Sequence, residues 1–264
     1  MKTVKYILLS LLFCGAVSAK ILVTLQSGVE RNMDSLTIKE GRLLLPAENA
    51  QIFLDHVASV EFSFDGFSIE QCRVLFDQCD YDGIVRRLAD EKSSLMAAAS
   101  LKGNGQDWLR LFFRAQFHSG DVAAMRSTAQ DLRTAGSPLA AETGPYEILA
   151  LIGDNRIAAA TKAFDASKAT DNAASDLIRA RLSVAGGKDK EALQHLARLQ
   201  AFHYREKEWL PPAVFLEGQI YKKAGQTRAA AYAAEELTRG WPGSVWSRRA
   251  AELKESEIKQ GESQ

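Results

Sequence analysis

Residues 211–242, PPAVFLEGQIYKKAGQTRAAAYAAEELTRGWP, carry the reading that decides the fold. Apolar and small residues recur every three to four positions on both sides of Ala224-Gly225-Gln226, which is the spacing of two amphipathic helices joined by a short turn. The glycine supplies the left-handed residue that ends the first helix, and the polar residue after it caps the second. Pro242 closes the unit, because proline removes a helical hydrogen bond. Towards the N-terminus the same punctuation returns at Gly186-Gly187-Lys188, Ile152-Gly153-Asp154, Ser119-Gly120-Asp121 and Asp80-Tyr81-Asp82-Gly83. Gly120 to Gly153 is 33 residues, Gly153 to Gly187 is 34 and Gly187 to Gly225 is 38. A period near 34 predicts stacked α-hairpins over residues 67–257. An ordinary antiparallel helical bundle is the alternative.

Within the quoted unit Gly218 and Tyr221 take a small and an aromatic position of the first helix, Gly225 the turn, Ala230 a small position of the second helix, and Pro242 the close. With these positions the stretch resembles a tetratricopeptide repeat. Leu237-Thr238-Arg239-Gly240-Trp241-Pro242-Gly243-Ser244-Val245-Trp246-Ser247-Arg248-Arg249-Ala250 is similar to the leucine, aromatic-proline-x-serine, alanine close common in tetratricopeptide proteins of the cell envelope. The preceding unit keeps Ala180, Gly187, Ala192 and Leu196 in register. The unit at Gly153 keeps Ala158 but has Lys162 at an aromatic position and Pro145 in its first helix. The units at Gly120 and Tyr81 keep only helix, turn and helix, with Trp108, Phe112, Phe113 and Phe117 clustered. Glu217 stands where the repeat has leucine. The resemblance implies an α-α superhelix whose first helices line a concave surface that holds an extended peptide or a partner helix.

Residues 20–66 read differently. Ile21–Leu25, Ser35–Ile38, Arg42–Leu45, Ala50–Leu54 and Ser59–Phe64 are short β-prone runs separated by Gly, Pro, Asn or Asp. Five strands in so few residues are expected to close as a small SH3-like or Sm-like antiparallel barrel, since closure hides strand edges. The runs Val23–Gly28, Leu36–Ile38 and Ile52–Phe62 resemble a short barrel motif of exported bacterial proteins. Alanine marks the same division: of 39 alanines, five fall in residues 1–67 and 34 in residues 68–264. The expected fold class is therefore mostly α, a tetratricopeptide-like superhelix preceded by a small β barrel.

Lys2 and Lys5 followed by an apolar run to Val17 and the small-residue exit Val17-Ser18-Ala19 read as a secretory signal peptide, residues 1–19. Its apolar core is too short to span a bilayer as a helix, so no transmembrane segment is expected in the mature chain. The large Phe13 before Cys14 argues against a lipoprotein signal. The 264 residues carry 33 basic and 33 acidic side chains. This balance lacks the electrostatic footprint of a general nucleic-acid binder, and no nucleic-acid partner is expected. Removal of the leader would leave 31 basic against 33 acidic residues, a net of −2. Cys72 and Cys79 are seven apart; on one helix they would be too distant to bridge, so two buried thiols on one helix face are expected, with a disulfide as the alternative if the helix breaks between them. Residues 258–264 show no pattern and are expected to fray.

The chain contains no Gly-x-Ser-x-Gly elbow, no His-Glu-x-x-His and no complete Walker loop, and Gly186–Lys190 lacks the leading glycine and the hydroxyl of a phosphate loop. His195 and His203 read as surface or capping residues, and Asp80 and Asp82 as helix caps. No catalytic residue, metal or cofactor is expected. Arg110, Arg114, Arg181, Lys222 and Lys223 lie on first helices and form a candidate basic stripe for a carboxylate or an acidic segment. The function expected is a non-catalytic scaffold that binds a protein or peptide of the bacterial cell envelope, exported to the periplasm or beyond. The alternatives are a cell-wall or glycan-binding protein acting through the β module, and an enzyme whose site carries no recognised motif.

Overall fold

The computed structural model describes residues 19–45, 49–168 and 170–254. The leader up to residue 18 and the expected tail 258–264 lie outside the described residues. The chain is mostly helical, with its strands gathered at the N-terminal side.

Among the described residues six strands precede the first α-helix: β1 Ala19–Leu25, β2 Glu30–Met33, β3 Ile38–Lys39, β4 Arg42–Leu45, β5 Ala50–Phe53 and β6 Val57–Phe64. They form two three-stranded sheets, β2-β1-β6 and β3-β4-β5. All pairings are antiparallel, with Ile21 opposite both Met33 and Phe62, and Leu43 opposite Ile38 and Ile52. β1 is central because Ala19, Ile21 and Val23 alternate into the core. β2 was not expected: Glu-Arg-Asn-Met is polar and largely exposed, so it carries no alternation. The expected strand at Ser35–Ile38 reduces to the two residues of β3.

The expected barrel does not form, because the two sheets are not closed on each other. The chain has another use for the edge of β6. Val60 N–H donates to the Lys102 carbonyl at 2.8 Å, and the Asn104 side chain accepts from Phe62 N–H and donates to the Phe62 carbonyl, both at 2.8 Å. A loop from the helical part thus satisfies the edge that closure would have hidden. Gly103 makes this approach possible, since its φ is +133° and a Cβ there would sit 1.9 Å from the Val60 carbonyl oxygen.

The helices are α1 Ile69–Asp77, α2 Tyr81–Leu88, α3 Lys92–Ala97, α4 Gly105–His118, α5 Val122–Thr134, α6 Gly144–Gly153, α7 Ile157–Ala166, α8 Ala173–Ala185, α9 Asp189–Phe202, α10 Leu210–Lys223, α11 Thr227–Gly240, α12 Val245–Arg249 and α13 Ala251–Lys254. α4 packs on α5, α6 on α7, α8 on α9 and α10 on α11, each a sequential hairpin. Gly120, Gly187 and Gly225 have φ of +92°, +72° and +72° at three of the turns. Gly153 differs from expectation: it is the last residue of α6, and Asn155, at φ +58°, takes the left-handed position. Asn tolerates that region because its short polar side chain bonds locally. Capping follows side-chain chemistry: Asp80 and Asp121 accept from Gly83 and Ala124 N–H, whereas Lys188 and Gln226 make no side-chain cap. α1 ends before Cys79, which has a φ of +58°, so the two cysteines do not share a helix. Both thiols are buried and unbridged.

One hydrophobic core runs from Ala19 in β1 to Leu253 in α13. Trp108 of α4 joins strands to helices, its ring 4.7 Å from Phe64 in an edge contact and 5.7 Å from Phe67. At the other end Gly218 of α10 faces α11 and α13, where a Cβ would meet Ala233 at 3.0 Å and Leu253 at 2.6 Å. Ala230 is buried on α11, Tyr221 donates its hydroxyl to Glu217 at 3.0 Å, and Pro242 follows the end of α11. Glu217 also accepts from Gln200 at 2.6 Å, so it forms a polar tie between α9 and α10.

Candidate binding cavity

Helical spacing places Arg114 and His118 one turn apart on α4, on the same side. Both meet Glu208, which lies in the turn between α9 and α10. Arg114 Nε donates to Glu208 Oε1 at 3.1 Å, while its Nη2 meets Oε2. His118 Nε2 is 2.9 Å from Oε1, and the Tyr146 hydroxyl of α6 donates to the same oxygen at 2.7 Å. Tyr81 stacks on His118 with ring centres 4.8 Å apart, and Trp209 lies 5.2 Å from Tyr146. His118, Tyr146 and Glu208 are all buried.

Burial works against the Glu208 charge, but the His118 ring and the Arg114 guanidinium outweigh it and hold the carboxyl at about 2. Burial, helped by the Glu208 charge, pushes the Tyr146 phenol well above its ordinary value, which keeps it a hydrogen-bond donor. The result is a charged cluster that is satisfied internally and fixes the turn before α10 against α4 and α6.

This cluster separates two cavities, and Trp209 lines both. The first, about 460 Å³, lies between α1, α4 and the turn before α10. Most of its cations are already engaged with acids, although Arg205, among the described residues, meets only the Tyr204 hydroxyl and ring. Arg110 pairs with Asp107 and with Glu142 at 2.8 Å, Lys207 pairs with Asp77 at 2.7 Å, and Arg114 is held by Glu208.

The second cavity, about 330 Å³, is lined by Phe117 of α4, Leu149 of α6, Leu177 and Arg181 of α8, and Trp246 and Arg249 of α12. It is therefore walled mainly by the first helices of successive hairpins. Its polar groups are incompletely matched: Arg181 Nε is buried with no hydrogen-bond acceptor, and the buried Trp246 N–H faces the Tyr81 hydroxyl without forming a well-made hydrogen bond. Arg249 stacks over the Phe215 ring at 4.1 Å and lies 3.3 Å from Glu252. Burial first, and then the Arg249 charge, lower the Arg181 guanidinium to about 10, so it stays charged at neutral pH. Asp154, the acid in the wall, is held by Arg126.

The five cations of the expected stripe are thus dispersed. Arg110 and Arg114 serve internal ion pairs, Lys223 pairs with Asp189 at 3.0 Å, and Lys222 donates to the Glu252 carbonyl. Of the five, Arg181 alone lines the second cavity and has no acid partner among the described residues. Sequence reasoning passed over His118, Tyr146 and Glu208, and placed Trp246 only in the repeat's close. His118 meets Glu208, and His203, read as a surface or capping residue, follows the end of α9 and lies 3.4 Å from Glu206. The available signal was local: Arg114 and His118 share a face, and Glu208-Trp209 precedes the two prolines that open α10. Their joining across 90 residues is a tertiary fact.

Among the described residues, no group of three or more His, Cys, Asp or Glu side chains is arranged to hold a metal ion, and no helix is long and apolar enough to cross a membrane. No protein-family model, curated protein or solved structure matches this chain.

Proposed function

We propose that this chain is a non-catalytic scaffold of the bacterial cell envelope that holds a peptide or partner protein on the face formed by the first helices of a tetratricopeptide-like superhelix. The single observation that carries the reading is the second cavity, which collects side chains from α4, α6, α8 and α12 and leaves the buried Arg181 Nε without an acceptor. A buried donor left unmatched costs free energy, and a ligand acceptor removes that cost. Apolar walls with a few convergent polar groups are the usual make-up of a binding pocket. Placement in the envelope rests on the leader read at residues 1–19.

The test is photo-crosslinking of the exported chain in its native envelope, with a benzophenone side chain at Phe117 on the cavity or at the exposed Ala158 of α7. A discrete partner joined from Phe117 and absent from Ala158 supports the reading. Equal products from both positions, or none from Phe117, contradict it.

The cell-wall reading has one supporting observation. Phe53 is 52% exposed, in a cleft with Gln26, Gln51 and His56, and an aromatic ring among amides suits a sugar face. Co-sedimentation of the full chain with purified cell wall, lost in Phe53→Ala, would favour it.

A further inference from the structure

We infer that the second cavity receives a single carboxylate carried on an apolar or aromatic body, with the carboxylate on Arg181 and the Trp246 N–H and the body against Leu149, Leu177 and Trp209. This rests on the reading of the cavity face as the binding face and specifies what enters it.

Three features of the cavity define the ligand. The first is an orphaned donor beside a poorly matched one. Arg181 Nε is buried and lacks an acceptor, although most buried donors in folded proteins have one, and the buried Trp246 N–H faces only the Tyr81 hydroxyl without a well-formed hydrogen bond. The second is charge. Arg181 has no acid partner among the described residues, Arg249 is shared with Glu252, and Asp154 is occupied by Arg126. One uncompensated positive charge matches a monoanion, whereas a dianion such as a phosphate monoester would bring an excess charge into apolar walls at a high desolvation cost. The third is shape. A guanidinium offers a planar fork that suits a carboxylate. Much of the remaining wall is apolar, with Phe117, Val122, Leu149, Leu177, Trp209 and Pro212, and the volume of about 330 Å³ lies at the small end of ligand pockets. A carboxylate at the end of an apolar group fills both parts.

Two sources supply this chemistry, the C-terminal residue of a partner chain and a free aromatic or aliphatic acid. The probes that separate them are 3-phenylpropionate with its amide, and an acetylated tetrapeptide ending in phenylalanine with a free or an amidated C-terminus. Binding to the full mature chain is read by calorimetry and by the fluorescence of Trp209 and Trp246. At least one acid is expected to bind about tenfold or more tightly than its amide, with that preference lost in Arg181→Gln and reduced in Trp246→Phe, which keeps a ring and removes the donor. Tight binding of the peptide acid alone identifies a chain terminus as the ligand, and of 3-phenylpropionate alone a free acid.

The fold of Arg181→Gln is checked in the same samples. Because it removes an unpaired buried charge, the ligand-free variant is expected to melt roughly 2–4 °C above the wild type. Equal binding of acid and amide, wild-type binding by Arg181→Gln, or no binding of any acid overturns the inference. The Phe117 crosslink is read separately, so a partner captured without carboxylate selectivity leaves the scaffold reading standing and removes only this one.

Discussion

The guanidinium of Arg114 and the carboxylate of Glu208, 94 residues apart in the chain, meet as a two-pronged ion pair in the wall of the first cavity. His118 and Tyr146 converge on the same carboxylate, so one acid joins α4, α6 and the turn that launches α10. This junction positions Trp209 between the two cavities, and the shape of the cavity wall depends on it.

Removing the acid should therefore be costly. Glu208→Ala strands the half-buried Arg114 and takes away the acceptor of the buried Tyr146 and His118, and a loss of about 2–4 kcal/mol is expected, somewhat below that for a fully buried pair. Urea unfolding of the variant beside wild type measures it. A loss below about 1 kcal/mol would show that the cluster is not the junction described.

The same carboxylate gives a pH signature. It titrates near 4.5 when unperturbed and at about 2 in the fold, so the unfolded chain takes up the proton first as pH falls. The stabilisation is complete above pH 4.5 and is lost progressively towards pH 2, amounting to about 3 kcal/mol from this group. Unfolding midpoints between pH 6 and pH 2 should show the drop, and Glu208→Gln, which cannot titrate, should show a smaller one. Parallel pH curves for the two chains would contradict this assignment.

Gly103 holds the strand module on the helices. A Cβ would meet the Val60 carbonyl at 1.9 Å, and the residue occupies a φ of +133°. Gly103→Ala is expected to destabilise by about 2–4 kcal/mol and to expose the edge of β6. Hydrogen exchange reads this locally: Val60 and Phe62 N–H, which donate to Lys102 and Asn104, should lose protection before the β1 amides do. Unchanged protection would show that the contact is dispensable.

Cys72 and Cys79 should be inert towards thiol reagents. Burial is the main cause that raises the first to about 12 and the second to about 11, so almost no thiolate exists at pH 8. Labelling of the native chain with a disulfide reagent is expected to be slow and to become rapid in denaturant. Fast labelling of either thiol in the native chain would contradict their burial.

The sequence displayed what is local and hid what is not. Gly120, Gly187 and Gly225 are read directly as hairpin turns because each combines a left-handed residue with a change of helical face. Gly153 misled, since the asparagine two residues on can fill the same role. β2 was invisible because Glu30–Met33 has no apolar face, and the barrel was expected because nothing in residues 20–66 reveals that Lys102–Asn104 will cover β6. The basic stripe was legible as five cations on first helices. Which of them remains unpaired depends on Glu142, Glu208 and Asp189, whose positions only tertiary packing sets.

The most direct measurement is the yield of the Phe117 photo-crosslink in wild type against Arg181→Gln, at matched protein levels in the native envelope. If the first-helix face is the binding face and Arg181 is kept for a ligand, the yield falls about tenfold, the loss expected for a charge-assisted hydrogen bond. An unchanged yield in a folded Arg181→Gln chain would contradict the account.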